Sequence, residues 1–469
     1  MQNASVVERF LEITKIPRPS GFEKKMVEFL SNFAKENTLE YVVDKNNNVL
    51  IKRDCKKEKT IILQAHIDMV CVKEINKNVN FFEDGISVIN DGKFLYADGT
   101  SLGADDGIGV AVILDILQDK NLKSNYNIEA LFTSCEETTM AGAKNFNCSK
   151  LSSNLMIGLD GTSISELTIG CAGIDGYEIF GFEKGDLTVK ENNVKLKNCY
   201  KVEVKNLIGG HSGDDIGKKR ANAINLIFDF LALLEDINII SVENKSGKGN
   251  AIANNATCLF LCNKELKEII SLLQKFKKSL KKYSDKEIDI SIFEEDAKQN
   301  QKPIGLLRSE RLINLFSFLK TGVIKKQKGK PVLSLNVGII DVNNKNFNII
   351  FTTRNFNTRL NNKLFEELTY KINNCGFKVK RTNSLPCFES KRNSFLQQKA
   401  ILASEKVLKE KLVPSVCNGT VETTLFAKKI KNLDAIVLGA NLFDLHSTKE
   451  KVEISSICVL NYLVREILK

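Results

Sequence analysis

Between residues 60 and 160 the sequence switches repeatedly between two hydrophobic periods, and this alternation narrows the available folds most. TIILQAHID (Thr60–Asp68) is a continuous apolar run that ends in polar residues, as a buried strand does on reaching a sheet edge. DGIGVAVILDILQD (Asp106–Asp119) has the length and period of a helix, and NIEALFTS (Asn127–Ser134) and NLMIGLD (Asn154–Asp160) read as two more strands. Strands alternating with helices imply a largely parallel sheet covered by helices. Ligands in such sheets gather outside the carboxyl ends of the strands. Those ends carry His66 and Asp68, then Cys135-Glu136-Glu137, then Asp160.

The pattern changes from about Asp175 to Arg381. Strand candidates CYKVEVKNL, ATCLFLC, EIDISIF, VLSLNVGII and FNIIFTTR accompany helices such as ANAINLIFDFLALLED. This predicts an α+β domain with a mostly antiparallel sheet. It is predicted to be inserted, because Phe395–Lys411, LDAIVLGAN and a closing helix from Glu453 resume the earlier rhythm. The expected fold class is therefore α/β with a central, mostly parallel sheet, interrupted by an α+β insertion. Residues 1–174 and 382–469 would form one domain and 175–381 the other. The run Lys325-Lys326-Gln327-Lys328 reads as an exposed loop.

Composition excludes several classes of function. No apolar run approaches the ~20 residues needed to cross a bilayer. Charge interrupts the opening MQNASVVERFLEITK too early for a secretory signal. The 12 cysteines form no framework; the one close pair, Cys258 and Cys262, is predicted to point into a core. Scattered thiols fit a reducing compartment, so a soluble, cytoplasmic protein without a membrane partner is expected. A net charge of +11 is compatible with nucleic acid, yet only 11 of the 68 basic residues are arginine. The lysines lie beside glutamates on helical segments such as ELKEIISLLQKFKKSLKKY, which reads as a solvated surface.

The chemistry is concentrated in short polar motifs. All 3 histidines lie in them: His66 in HID, His211 in GGHSG and His446 in DLHSTKE. One histidine near a strand end is more often structural, but three so placed, two of them with carboxylates, point to a site. His66 and Asp68 are two apart and share a strand face, so Asp68 is placed to accept the second ring N–H of a metal-bound His66. SLGADDGIG puts Asp105 and Asp106 in a glycine-bounded turn that opens a helix; Asp106 reads as its N-cap, leaving Asp105 to project over the sheet edge. Two imidazoles and three carboxylates are too many for one tetrahedral metal and suit two metals sharing a carboxylate and a water. A spare carboxylate is left for a general base. No GxSxG elbow, P-loop or HExxH helix competes with this reading.

HIDM, LGADDGIG, the Glu136-Glu137 pair, Leu159-Asp160, GGHSG and the late HSxxE together resemble the M20 family of di-metal peptidases. Within it they look most like the aminoacyl-histidine and cytosol non-specific dipeptidase group. TKIPRPSG near the start, IGCAGID at 169–175, GNAIA at 249–253 and SLNVG at 334–338 are similar to that group too, in order from about residue 10 onwards. The resemblance implies a zinc-peptidase-like catalytic domain with an inserted lid, and two Zn²⁺ per chain, with Co²⁺ or Mn²⁺ as substitutes. It makes His66 and Asp160 ligands of one ion, Glu137 and His446 ligands of the other, and Asp105 the bridge. Glu136 becomes the general base and Asp68 the partner of His66. His211, Asn250 and Arg354 would bind the substrate's carbonyl and carboxylate, and Glu422, in NGTVETTLF, its amine. The implied substrates are small peptides, Xaa-His or dipeptides in general, and the implied assembly is a homodimer through the lid.

Three departures from the family pattern stand out. Gly161 follows Asp160 where a polar or acidic residue is usual, Thr448-Lys449 replaces Pro-Asp, and Asn418-Gly419-Thr420 replaces a histidine-containing turn. None touches an implied ligand, so they bear on substrate preference. An aminoacylase or tripeptidase would share the metal site and differ in the lid, whereas a non-catalytic binding protein would have lost ligands. The carboxylate clamp gives a direct test. Arg354→Met should lower kcat/KM for dipeptides by roughly 10–100-fold, the worth of a charge-assisted hydrogen bond, and spare amidated dipeptides. Equal losses on both substrates would sink the clamp.

Overall fold

The structure is a computed structural model and describes residues 3–181, 196, 198–213, 215–244, 247–285, 287–295, 302–327, 329–388 and 394–469. The chain forms two compact units. Met1–Cys171, Phe388–Cys417 and Val421–Lys469 build the first, and Ala172–Cys387 with Asn418–Thr420 the second.

An eight-stranded sheet organises the first unit. At its centre Tyr126–Thr133, Lys59–His66, Leu155–Gly161 and Asp434–Gly439 lie side by side and parallel. Glu40–Val43 and Val49–Arg53 extend one side antiparallel. Glu166–Cys171 and Val413–Cys417 complete the other. This mixed α/β fold with a mostly parallel central sheet is the class expected from the sequence. Lys59–His66 is buried from Ile61 to His66, which is why it reads as a continuous apolar run. The helix Ala104–Gln118 is buried at every position from Asp106 to Leu117, so it is apolar all round. It packs between the sheet and the helices Asn3–Thr14 and Ile454–Leu468. Because the four central strands are parallel, their carboxyl ends at Thr133, His66, Gly161 and Gly439 come to one edge.

Gly161 and Gly439 face each other across two parallel strands. A Cβ on Gly161 would lie 2.6 Å from the carbonyl carbon of Leu438 and 2.7 Å from the nitrogen of Gly439. The residue after Asp160 is glycine because the neighbouring backbone leaves no room for a side chain.

The second unit holds a nine-stranded sheet with antiparallel pairings throughout. Eight of its strands run in the order Asp289–Glu294, Asn198–Lys205, Ala256–Cys262, Asn238–Glu243, Lys330–Asn343, Phe347–Asn355, Gly173–Phe180 and Lys378–Leu385, and the ninth, Gly322–Gln327, pairs with Lys330–Asn343 alone. Cys258 and Cys262 are fully buried, as their spacing predicted. The lysine run is a correction. Lys325, Lys326 and Gln327 belong to the strand Gly322–Gln327, which pairs with Lys330–Asn343, and are not a loop; Lys328 lies outside the described residues. Gly329 at φ +80° helps close the hairpin, and exposed lysines suit a strand at a sheet's margin. Among the described residues no helix is long and apolar enough to cross a membrane.

The Gly161–Gly439 seam yields a stability prediction. Gly161→Ala should destabilise the first unit by about 1–3 kcal/mol, the usual cost of overpacking, read as a lower thermal midpoint. An unchanged midpoint would mean that the two strands can part without cost.

Candidate metal centre

The site is built by the edge where the parallel strands end. His66 closes the strand Lys59–His66 and is buried. Its Nδ1 lies 3.2 Å from the carbonyl oxygen of Asp68 and 3.6 Å from Asp68 Oδ1. Its Nε2 faces the other way, 3.0 Å from Asp105 Oδ1 and 3.9 Å from Asp160 Oδ1. The buried carboxylate of Asp68 has a further task. Its Oδ1 accepts the backbone N–H of Glu136 at 2.9 Å and its Oδ2 that of Glu137 at 3.1 Å. Asp68 thus fixes the turn carrying both glutamates relative to the strand carrying His66.

Asp105 and Asp106 depart from helical angles, so the regular helix begins after them, and the peptide bond between them is cis. Asp106 Oδ1 accepts the N–H of Gly109 at 3.1 Å, the bond an N-cap makes, while its Oδ2 accepts the N–H of His66 at 3.2 Å. Asp105 is left between the imidazoles, with Oδ2 3.4 Å from His446 Nε2. His446, whose side chain is half-exposed, also lies 3.1 Å from Glu137 Oε2. Three overlapping sets of donor atoms result: His66–Asp105–Asp160, His66–Glu136–Glu137 and Asp105–Glu137–His446, each with its atoms within 4.8 Å of one another.

Burial and crowding set the charges. Burial pushes the carboxyls of Glu136 and Asp160 well above the ordinary range and raises Glu137 as well. Asp105 goes the other way: burial opposes its ionisation, but hydrogen bonds from His446 and His66 hold it below the usual value. Burial likewise works against a charged His66, yet Asp105 and Asp68 raise its pKa well above normal. Hydrogen bonds to Asp105 and Glu137 push His446 up to about 10. Positive charge is favoured wherever these groups converge.

Glu422 is fully buried against the strands Lys59–His66 and Tyr126–Thr133. Its Oε2 accepts from Gln64 Nε2 at 2.8 Å and from Thr133 Oγ1, and burial raises its pKa to about 7. Glu422 thus sits 1% exposed beneath the strand ends.

In the second unit His211, Asn250 and Arg354 are brought together. The short strand Gly210–His211 pairs with Ala251–Ile252, and Ser212 N–H donates to Asn250 O at 2.9 Å. Arg354, near the end of Phe347–Asn355, points Nη2 at His211 Nε2 (2.9 Å), Nε at Ser212 Oγ (3.2 Å) and Nη1 at the carbonyl of Asn418 (2.8 Å). A guanidinium has no acceptor, so His211 Nε2 must accept and its proton sits on Nδ1.

Sequence reasoning assigned no role to several supports. Arg18 is buried and donates to the carbonyls of Ile67, Asp68 and Gly103. An arginine between two prolines in a lysine-rich chain was the available signal. Glu23, also buried, accepts the N–H groups of Gly21 and Cys135. Ser212, within GGHSG, and Asn418, in the departing turn Asn418-Gly419-Thr420, hold Arg354.

Imidazole and carboxylate donors crowded at the carboxyl edge of a parallel α/β sheet define a class of protein, the metal-dependent hydrolases. Residues 62–469 match peptidase family M20/M25/M40, and the chain belongs to that family. It is 27% identical to the cytosol non-specific dipeptidase of Escherichia coli (strain K12), over 98% of this chain and 96% of the relative. The aminoacylhistidine dipeptidase of Vibrio alginolyticus superposes with a TM-score of 0.81 at 26% identity, covering 99% of this chain and 96% of that one. A tripeptidase of Staphylococcus aureus shares the fold at a TM-score of 0.57 and 15% identity, over 100% of this chain and 98% of that one.

Proposed function

We propose that this chain is a cytosolic metallo-dipeptidase that hydrolyses dipeptides with the help of two divalent ions, zinc by first assignment. His66 and Asp160 would hold one ion, Glu137 and His446 the other, and Asp105 would touch both. The observation that carries the reading is Asp105 itself, its two carboxylate oxygens directed at two different imidazoles. The donors fit such ions. Glu137 Oε1 is buried without a hydrogen-bond partner, and the nitrogen and oxygen donor set suits zinc and its neighbours in the transition series. Burial raises the carboxyls of Glu136, Glu137 and Asp160, a penalty on their ionisation that a bound cation would offset.

When bound, the ions would polarise the peptide carbonyl and bring the pKa of water toward neutrality. The chain's own residues do the rest. Asp68 keeps His66 Nδ1 turned toward the strand, so Nε2 faces the cluster. Glu136 takes a proton from the attacking water as its oxygen bonds to the carbonyl carbon. It then gives that proton to the amine as the C–N bond breaks. Asp68 also steadies Glu136 through its backbone N–H. In the second unit Arg354, His211 and Asn250 are assigned to the substrate's carboxylate and carbonyl, the carboxylate matching the fork of a guanidinium.

A panel of dipeptides, tripeptides and N-acetyl amino acids, offered to zinc-loaded and chelator-treated protein, tests the substrate class. Dipeptides should be cleaved at least ~10-fold faster than the others, with activity lost on chelation and restored by metal. Preference for N-acetyl amino acids or tripeptides would move the assignment to an aminoacylase or tripeptidase. The two glutamates separate the roles. Glu136→Gln should keep two ions per chain while turnover falls by ~10²–10⁴-fold. Glu137→Gln replaces an anionic ligand by a poor neutral one and should lose one ion as well as activity. Elemental analysis beside turnover distinguishes them, and the reverse pattern would exchange the assignments.

A further inference from the structure

Four residues beyond His446 lies a carboxylate that the proposed chemistry does not use. Glu450 is only 3% exposed. Its Oε2 accepts the backbone N–H groups of Leu102 (2.7 Å) and Gly103 (3.0 Å), and its Oε1 those of Ala104 (2.9 Å) and Asp105 (3.3 Å). Four successive peptide donors therefore converge on one side chain. They belong to the turn that opens the helix Ala104–Gln118, where amide dipoles favour an anion and charge-assisted bonds are strong.

The other side of the same turn is gripped by a cation. Arg18 Nη2 donates to the carbonyl of Gly103, while its Nη1 reaches the carbonyls of Ile67 (3.2 Å) and Asp68 (3.0 Å). Gly103 thus gives its N–H to Glu450 and its carbonyl to Arg18. It has φ +71°, and a Cβ there would stand 2.6 Å from Arg18 Nη2, so the grip requires glycine. The turn is fixed toward the His66 strand by Arg18 and toward the His446 loop by Glu450.

We infer that Glu450 is a positioning residue for the candidate metal centre, binding the loop that carries His446 to the turn that carries Asp105. Its carboxylate sets the approach of His446 Nε2 to Asp105 Oδ2, 3.4 Å apart. The inference rests on the reading that Asp105, Glu137 and His446 hold a divalent ion. Glutamine is the informative replacement because it keeps the length but turns an NH₂ group toward N–H donors.

Titration of the metal-free chain with Co²⁺, followed by calorimetry and by the visible spectrum of the ion, tests it. The unaltered chain should take up two Co²⁺. Glu450→Gln should bind one with unchanged affinity and the second 10–100-fold more weakly, the usual effect of losing a residue that orients ligands, with an altered spectrum for the second ion. Glu450→Asp keeps the charge on a shorter arm and should fall between the two. If Glu450→Gln does not fold, weakened second-ion binding by Glu450→Asp carries the test, and native binding by that variant overturns the proposal. Both ions bound by Glu450→Gln with native affinity and spectrum would overturn it too. So would equal weakening of both ions with a lower thermal midpoint of the metal-free chain, the mark of a general tether. Failure of the unaltered chain to bind Co²⁺ would overturn the metal reading and this inference together, whereas native binding by the variants overturns this inference alone.

Discussion

Mutual repulsion among carboxylates is the constraint to which the first unit's sheet edge answers. Asp68, Asp105, Glu136, Glu137 and Asp160 converge there, with Asp106, Glu23 and Glu450 close behind, and little of this charge faces water. Buried like charges are costly unless each finds a compensating partner. The structure sorts them by partner. Asp68, Asp106, Glu23 and Glu450 are tied to backbone N–H groups, which supply positive potential without another mobile charge. Asp105, Glu137 and Asp160 instead turn toward imidazoles at the centre. The first set builds the frame, and the second is left to share whatever cation occupies it.

This sorting explains what the sequence could disclose. The strand ends were legible because a strand buried on both faces is a continuous apolar run, and its termination marks where polar groups emerge. His66, Asp105, Glu137, Asp160 and His446 could be picked out because each sits at such a termination or in a short polar motif. What Asp68 does with its carboxylate was not legible: the spacing predicted a partner for His66, whereas the carboxylate also bridges to backbone 68 and 69 positions further on. What Arg18 and Glu450 hold was hidden for the same reason, since their partners lie 49 to 85 and 345 to 348 positions away. Backbone acceptors and donors leave no trace in residue identity. Gly161 looked like a missing side chain and is a steric requirement set by Gly439. The exposed lysine hairpin misled because strand pairing is a backbone property, to which its polar side chains contribute nothing.

Arg354 shows that a strong cation can be chosen without being left loose. Its fork is engaged by His211, Ser212 and the carbonyl of Asn418, so its direction is set before any ligand arrives. Pre-oriented donors lose less entropy on binding than a free side chain would. The arrangement also fixes the tautomer of His211, which couples the two residues chemically as well as in space.

The strand Asp434–Gly439 lies inside the sheet, between Leu155–Gly161 and Glu166–Cys171, although about 270 residues of chain separate it from the first of these. At a ribosomal rate of about 5–20 residues per second, that interval lasts roughly 14–55 s. Throughout it the nascent sheet has an unfilled central position, with the backbone groups of Leu155–Gly161 still lacking one neighbour. Such an open edge is a template for pairing with another chain. A topology that delivers this strand, and His446 just after it, so late leaves that edge open to pairing until residues 434–446 have emerged.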